Sequence, residues 1–285
     1  MSEKTLRMLM PQWQGGNNEA GYALGAELLS WLAPESDDLL VEVPIETNPK
    51  LLKKEDGIVA RQALLKQLKA AQNLIDTHEP DRIVMFGGDC LVGQAPYAYL
   101  NERYEGELGV LWIDSHGDIS SPKEMENANT MVLGNLLGEG DKEFASKVNV
   151  PLKPQNVMLA GIKPKDYESE RIERLGIHVA APEEFANESG TVLKWISDNH
   201  IKHLVIHLDV DILDPKLFRS QIFASPEPLS IDWAEGEMSF TQVARLINDV
   251  SNETNVVGLG ITEHMPWEAI NLKKLLAQMP ILAQN

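Results

Sequence analysis

The sequence predicts an α/β protein built on a central, mostly parallel sheet. Two observations carry this expectation. Short apolar runs of strand length alternate with longer segments whose apolar residues recur at three- and four-residue spacing. Strand, helix and strand in succession imply right-handed crossovers, which leave neighbouring strands parallel. Acidic residues also gather just past several of the apolar runs, and open parallel sheets bind their ligands at those carboxyl ends.

Leu6 to Met10 is the first predicted strand, followed by Gly15-Gly16 and a helix from about Glu19 to Leu32. Val59 to Ile75 carries Leu64, Leu65, Leu68, Ala71 and Ile75 at helical spacing, and Pro80-Asp81 ends that helix. Arg82 to Phe86 reads as a strand running into Gly87-Gly88-Asp89, and Leu108 to Asp114 as the next. Thr130 to Leu137 is a helix closed by Gly138 and Gly140. Asn156 to Ile162 and Ile177 to Ala180 follow as strands, then a turn or short helix at Pro182 and a helix from Gly190 to Asn199. His203 to Asp209 is a strand, Gln242 to Val250 a helix and Val256 to Ile261 the last strand. No internal repeat or linker-like tract interrupts the pattern, so residues 1–285 are expected to form one domain.

The composition narrows the function. With 25 basic against 43 acidic residues the formal charge is −18, which argues against nucleic acid and anionic membrane surfaces as partners. Long-range attraction favours a cationic substrate, although acidity for solubility alone is the commoner cause. Cys90 is the only cysteine, so no intrachain disulfide forms. The opening residues carry no apolar signal-peptide region, and no stretch approaches the ~20 apolar residues of a membrane span. A cytoplasmic location is the expectation.

Chemistry concentrates in three acidic stretches: Asp114-Ser115-His116-Gly117-Asp118, Asp209 to Pro215, and Thr262-Glu263. Alternation along an extended strand would turn Asp114, His116 and Asp118 to one side, and Asp209 with Asp211 to another shared side. Crowded carboxylates repel unless positive charge lies between them, and a divalent ion or a pair of ions is the usual solution. Asp89 adds an acidic group at a fourth strand end. His207 shares the expected face of Asp209 and Asp211, whereas His264 should point away from Glu263. A lone strand histidine is more often a satisfied packing residue than a site residue.

With these motifs placed, the sequence resembles the ureohydrolase (arginase/agmatinase) family. The resemblance runs from Pro11-Gln12-Trp13-Gln14-Gly15-Gly16 to Glu263, through Gly87-Gly88-Asp89-Cys90, Asp114 to Asp118, and Asp209 to Pro215. It implies a three-layer α/β/α fold, assembly into homo-oligomers (trimers or hexamers), and two divalent metal ions, manganese foremost. Carried over residue by residue, Asp114 and Asp209 would bridge both ions. Asp118 would complete one side with the residue at Cys90, and His116 with Asp211 the other. A hydroxide shared by the ions would attack the carbon of a small cationic guanidino or amidino substrate gripped by Glu263. Asn127, Asn129, Asp166 and Ser120 match positions that meet the substrate or the leaving group.

Two departures from the family pattern stand out. Cys90 replaces a histidine ligand, so zinc, iron or cobalt becomes an alternative to manganese if the thiolate ligates. If it does not, Cys90 is a small buried hydrophobe. Asn129 replaces a histidine thought to shuttle protons, and asparagine cannot titrate near pH 7. Pro164 and Met125 replace further substrate-gripping residues, and Ser120 stands where the family has asparagine. The leading expectation is therefore a metal-dependent hydrolase of a guanidino or amidino C–N bond. Its rival is a catalytically weakened ureohydrolase-fold protein serving as a binding or regulatory subunit. A third option is a dinuclear hydrolase for another substrate.

Overall fold

A computed structural model describes residues 3–48, 52–227 and 233–279. Among them, one sheet holds eight strands in the order β2-β1-β5-β10-β9-β6-β7-β8. In chain order these are β1 Thr5–Met10, β2 Leu39–Glu42, β5 Arg82–Gly87, β6 Leu108–Ile113, β7 Val157–Ala160, β8 His178–Ala180, β9 His203–Asp209 and β10 Asn255–Thr262. Every neighbouring pair in it is parallel. A small antiparallel pair, β3 Lys54–Glu55 and β4 Ile58–Val59, lies outside the sheet.

Alternation in β6 divides the core between the two faces of the sheet. Leu108, Val110 and Trp112 pack with Leu64, Leu68 and Ala71 of helix α2 (Arg61–His78) and with Ala95 and Tyr97 of α3 (Gln94–Arg103). Leu111 and Ile113 pack with Val192, Trp195 and Ile196 of α7 (Gly190–Asp198) and with Val243, Leu246 and Val250 of α8 (Phe240–Glu253). Helices thus cover both faces, which is the three-layer arrangement. The central strands are buried on both faces, so β6 reads as a continuous apolar run instead of an alternating one.

The remaining helices are α1 (Glu19–Leu32), α4 (Val132–Leu136), α5 (Lys142–Ala145), α6 (Asp166–Leu175) and α9 (Trp267–Leu276). Sequence periodicity finds α1, α2, α4, α7 and α8 within a few residues and overlooks α3, α5, α6 and α9, together with the short strands β2, β3 and β4. Helix α3 is overlooked because Pro96 lies in its first turn and nearly every side is buried, leaving no apolar stripe. Helix α6 is overlooked because it is mostly charged, and β2 because it is largely exposed. Among the described residues no helix is long and apolar enough to cross a membrane.

Strand order positions the site. Between β5 and β6 in space lie β10 and β9, although in the chain β6 follows β5. The ends of β5, β10, β9 and β6 are therefore adjacent, at the place where crossovers on either side diverge.

Candidate metal centre

The three acidic stretches do meet at these ends, but by turns instead of strand alternation. Strand β6 stops at Ile113, so Asp114 to Asp118 lie in a loop. Asp114 Oδ1 accepts from the His116 N–H at 2.7 Å, and Trp112 Nε1 donates to Asp114 Oδ2 at 3.1 Å. Asp118 takes left-handed backbone with φ 48°, which re-aims its carboxylate. Asp209 ends β9, and its Oδ1 accepts from the Asp211 N–H at 2.8 Å, capping a short 3₁₀ turn. Glu263, at φ 64°, follows β10. Such backbone costs roughly 1–3 kcal/mol per non-glycine residue and collects at functional sites.

The donor atoms then fall into overlapping groups, each within 4.8 Å: Cys90, Asp114, Asp118 and His207; Cys90, Asp209 and Glu263; Asp114, His116 and Asp211. His116 Nδ1 lies 3.2 Å from Asp211 Oδ2 and 3.4 Å from Asp114 Oδ1. Ser115 Oγ donates to the other Asp211 oxygen at 2.7 Å, and Cys90 Sγ donates to Asp209 Oδ2 at 3.0 Å.

Charge in this cluster is unbalanced. Burial, and then the Asp211 carboxylate, pushes Asp114 up to about 6 and Asp209 well above the carboxylate range. Burial and Asp114 do the same to Asp118. Asp211 alone is held low: burial raises it, but the facing His116 outweighs that, and His116 is itself driven well above its ordinary value. Burial, with Asp209 next, also raises the Cys90 thiol. Buried Nε2 of His116, Nε2 of His207 and Oδ2 of Asp118 have no hydrogen-bond partner. Divalent cations fit this set, because they would neutralise the carboxylates and occupy the orphaned donors.

Glu263 shares the cavity but is held differently. Its Oε1 accepts from the Cys90 N–H at 3.2 Å and from Asn129 Nδ2 at 3.3 Å, and Tyr22 lines the same cavity. Burial dominates its titration; Asp89 and Asp211 add to it and the hydrogen bonds offset it, leaving Glu263 at about 8. The cavity, ≈ 310 Å³, is walled on its apolar side by Tyr22, Met125, Ile222, Phe223 and Trp233.

Other positions singled out from sequence fall variously. Asn127 and Asn129 line the cavity. Ser120 is buried with its hydroxyl 3.0 Å from that of Tyr167 and lies outside the lining. Asp166 is the first residue of α6, and its side chain lies outside the described structure. Asp89 belongs to the scaffold: it accepts from Gln12 Nε2, the Gly15 N–H and the Leu91 N–H, pinning the Gly15-Gly16 loop onto the end of β5. A Cβ at Gly15 would lie 2.7 Å from that carboxylate, so the loop needs glycine there. His264 turns away to the Gly25 carbonyl, as alternation predicts. Tyr22 was not legible as a site residue, since nothing in α1 marks it apart from core aromatics.

The parallel sheet and these donors together define a class: an α/β protein with a cleft of metal-ligating residue types at the carboxyl ends of its central strands. The chain belongs to the arginase family, whose model, described as "Arginase family", matches residues 54–278. An arginase of Staphylococcus aureus (strain COL) is 28% identical over 148 residues, covering 46% of this chain and 46% of that protein. The chain thus spans about half the length of the curated relatives it matches. The structure of Entamoeba histolytica arginase in complex with L-ornithine superposes with a TM-score of 0.79 at 16% identity, covering 96% of each chain. Arginase from Bacillus caldovelox superposes with a TM-score of 0.75 at 19% identity, covering 99% of each. At such identities the likeness concerns the fold alone.

Proposed function

We propose that the chain is a metal-dependent hydrolase acting on the C–N bond of a guanidino or amidino compound. One observation carries the proposal: Glu263, held by hydrogen bonds from the Cys90 N–H and Asn129, shares a cavity with the unbalanced carboxylate and imidazole donors of β6 and β9. Cys90, Asp114, His116, Asp118, Asp209 and Asp211 would hold two divalent ions. Bound there, such ions lower the pKa of a shared water and supply hydroxide at neutral pH, which an unreactive guanidinium carbon requires.

The protein's own groups do the rest. Glu263 receives the N–H groups of a planar cation, and the cation's charge favours the ionised carboxylate. Asn129 and the Cys90 N–H orient that carboxylate before substrate arrives, so little ordering remains to be done on binding. Asn129 donates a hydrogen bond but carries no titratable proton, so proton delivery to the leaving nitrogen falls to solvent or another group. Asn127, bonded to Asn17 at 3.4 Å, is the polar contact available to the substrate's tail. The apolar wall of Met125, Phe223 and Trp233 favours a tail less polar than an α-amino acid.

A second reading, a family member weakened to a binding subunit, draws support from the bond between Asn129 and Glu263, which closes the family's proton-shuttle position with an amide. One experiment separates them. Metal-loaded protein is screened against guanidino and amidino compounds for urea or amine release, with Asp209→Ala as control. Turnover that depends on Asp209 supports the hydrolase; bound metal without turnover of any compound leaves the binding subunit.

A further inference from the structure

We propose that His207 is itself a metal ligand, completing with Cys90, Asp114 and Asp118 a sulfur–nitrogen–oxygen site that takes zinc or cobalt in preference to manganese. The inference rests on the metal-centre reading above and assigns a ligand that the resemblance to ureohydrolases does not supply.

His207 lies on the face of β9 that turns toward Trp112 and Tyr97, and it is fully buried. Its ring stacks on the Trp112 indole with centroids 3.6 Å apart and planes at 11°, and Tyr97 meets it edge-on at 6.1 Å. These two rings fix its orientation. Tyr97 Oη lies 3.2 Å from His207 Nδ1. The opposite nitrogen, Nε2, has no hydrogen-bond partner and is 3.9 Å from Asp114 Oδ2, and a ring nitrogen of His207 falls within 4.8 Å of ligand atoms of Cys90, Asp114 and Asp118.

A packing role does not explain this geometry. An apolar side chain would fill the slot between Trp112 and Tyr97 without burying an unpaired nitrogen, which costs roughly 1–3 kcal/mol. A hydrogen bond from Nε2 to Asp114 does not explain it either, since 3.9 Å is too long. The arrangement suits a ligand: in the tautomer whose Nδ1–H donates to the tyrosine hydroxyl, the bond orients the ring and leaves the Nε2 lone pair facing the carboxylates. Metal-bound histidines are commonly held by such a second hydrogen bond. Room for it comes from Gly260 on β10, where a Cβ would lie 2.1 Å from Tyr97 Oη.

The donor set decides the metal. A thiolate, an imidazole and two carboxylates match the ligands and the four-coordinate number of zinc, and cobalt(II) can take its place, whereas manganese prefers oxygen and nitrogen. The sulfur of Cys90 and the imidazole of His207 are therefore one device: the strand next to β10 supplies the nitrogen that the β5 turn lacks.

Cobalt reports this directly, without reference to activity. Cobalt-loaded wild type should show a thiolate-to-cobalt charge-transfer absorption and the intense visible bands of a four-coordinate site. Cys90→Ser should abolish the first. His207→Gln should keep the charge-transfer band, shift the visible bands and weaken zinc binding in chelator competition. Tyr97→Phe, which keeps the ring stack and removes only the hydroxyl, should weaken zinc binding by about 10–100-fold. The proposal is overturned if folded His207→Gln retains the wild-type cobalt spectrum and zinc affinity. It is equally overturned if Tyr97→Phe binds zinc as wild type does in a background where His207→Gln fails to fold. Turnover with manganese beside a His207-independent cobalt spectrum sinks this inference and spares the hydrolase; a His207-dependent spectrum without turnover does the reverse. Wild type that binds neither zinc nor cobalt overturns the ligand set.

Discussion

At the start of α2 the Arg61 guanidinium lies flat on the Asp141 carboxylate, with N–O distances of 2.7 and 3.0 Å, while its Nε reaches Glu143 at 3.0 Å. Asp141 caps α5 through the Glu143 and Phe144 N–H groups, and Asn135 joins it to Gln94. Among the described residues, no buried side-chain nitrogen or oxygen of that cluster lacks a partner. At the ends of β6 and β9, Asp114, Asp118, Asp209 and Asp211 are as deeply buried, yet among the described residues only His116 offers them positive charge. Three nitrogen or oxygen atoms of that second cluster have no partner. Both regions bury carboxylates, and the difference lies in whether a fixed cation is built in. A closed network locks two elements together. An open one would be closed by a cation that arrives from outside.

The comparison can be broken in four ways. Asp209→Ala should have the largest effect: bound metal is lost by elemental analysis, turnover falls to background, and the drop in Tm caused by chelators in wild type disappears. Retained metal content would mean that Asp209 is not a ligand. Arg61→Met should cost about 3–5 kcal/mol in denaturant unfolding, because it strands the buried Asp141 charge. It should leave metal affinity unchanged; a parallel loss of metal would join the two clusters into one.

Asn129→His should raise turnover severalfold or more, since general acid–base help is worth roughly 10²–10⁴-fold when well placed. The added imidazole should also bring a new limb to the pH profile of kcat. A flat response in a metal-loaded variant would show that proton delivery does not limit the reaction.

The smallest effect sharpens the contrast through pH. Carboxylates raised in the folded state contribute stability below their unfolded pKa and lose it as pH rises through the folded value. For Asp114 and Glu263 those folded values are about 6 and about 8. Chelated protein should therefore lose stability over the range from the ordinary carboxylate values, 3.8 and 4.5, up to about 8. Metal-loaded protein should gain across it, because ligands must shed protons to bind. Parallel curves for the two forms would count against a metal at this site.

Much of the fold was legible because its cause is local. Apolar runs such as Leu108 to Ile113 and periodic segments such as α2 announce themselves within ten to twenty residues. Helix α3 did not, since a helix buried on nearly all sides has no stripe to read. Within the site, Asp114, His116, Asp118, Asp209 and Asp211 were legible as short motifs, though the expected reason, strand alternation, gave way to turns and left-handed backbone. Tyr22 and the partnerless Nε2 of His207 were not legible, and Asp89 read as a site residue while serving the Gly15-Gly16 loop.

By itself the sequence determined the α/β class, the residue types of the cleft and the departures at Cys90 and Asn129, because each is written in contiguous residues. Only the tertiary structure decided which strand ends are neighbours. Placing β10 and β9 between β5 and β6 brings Glu263 under Cys90 and sets His207 beside Asp114. Strand order follows from how helices pack on both faces of a twisted sheet, a sum of contacts distant in sequence that no local pattern records.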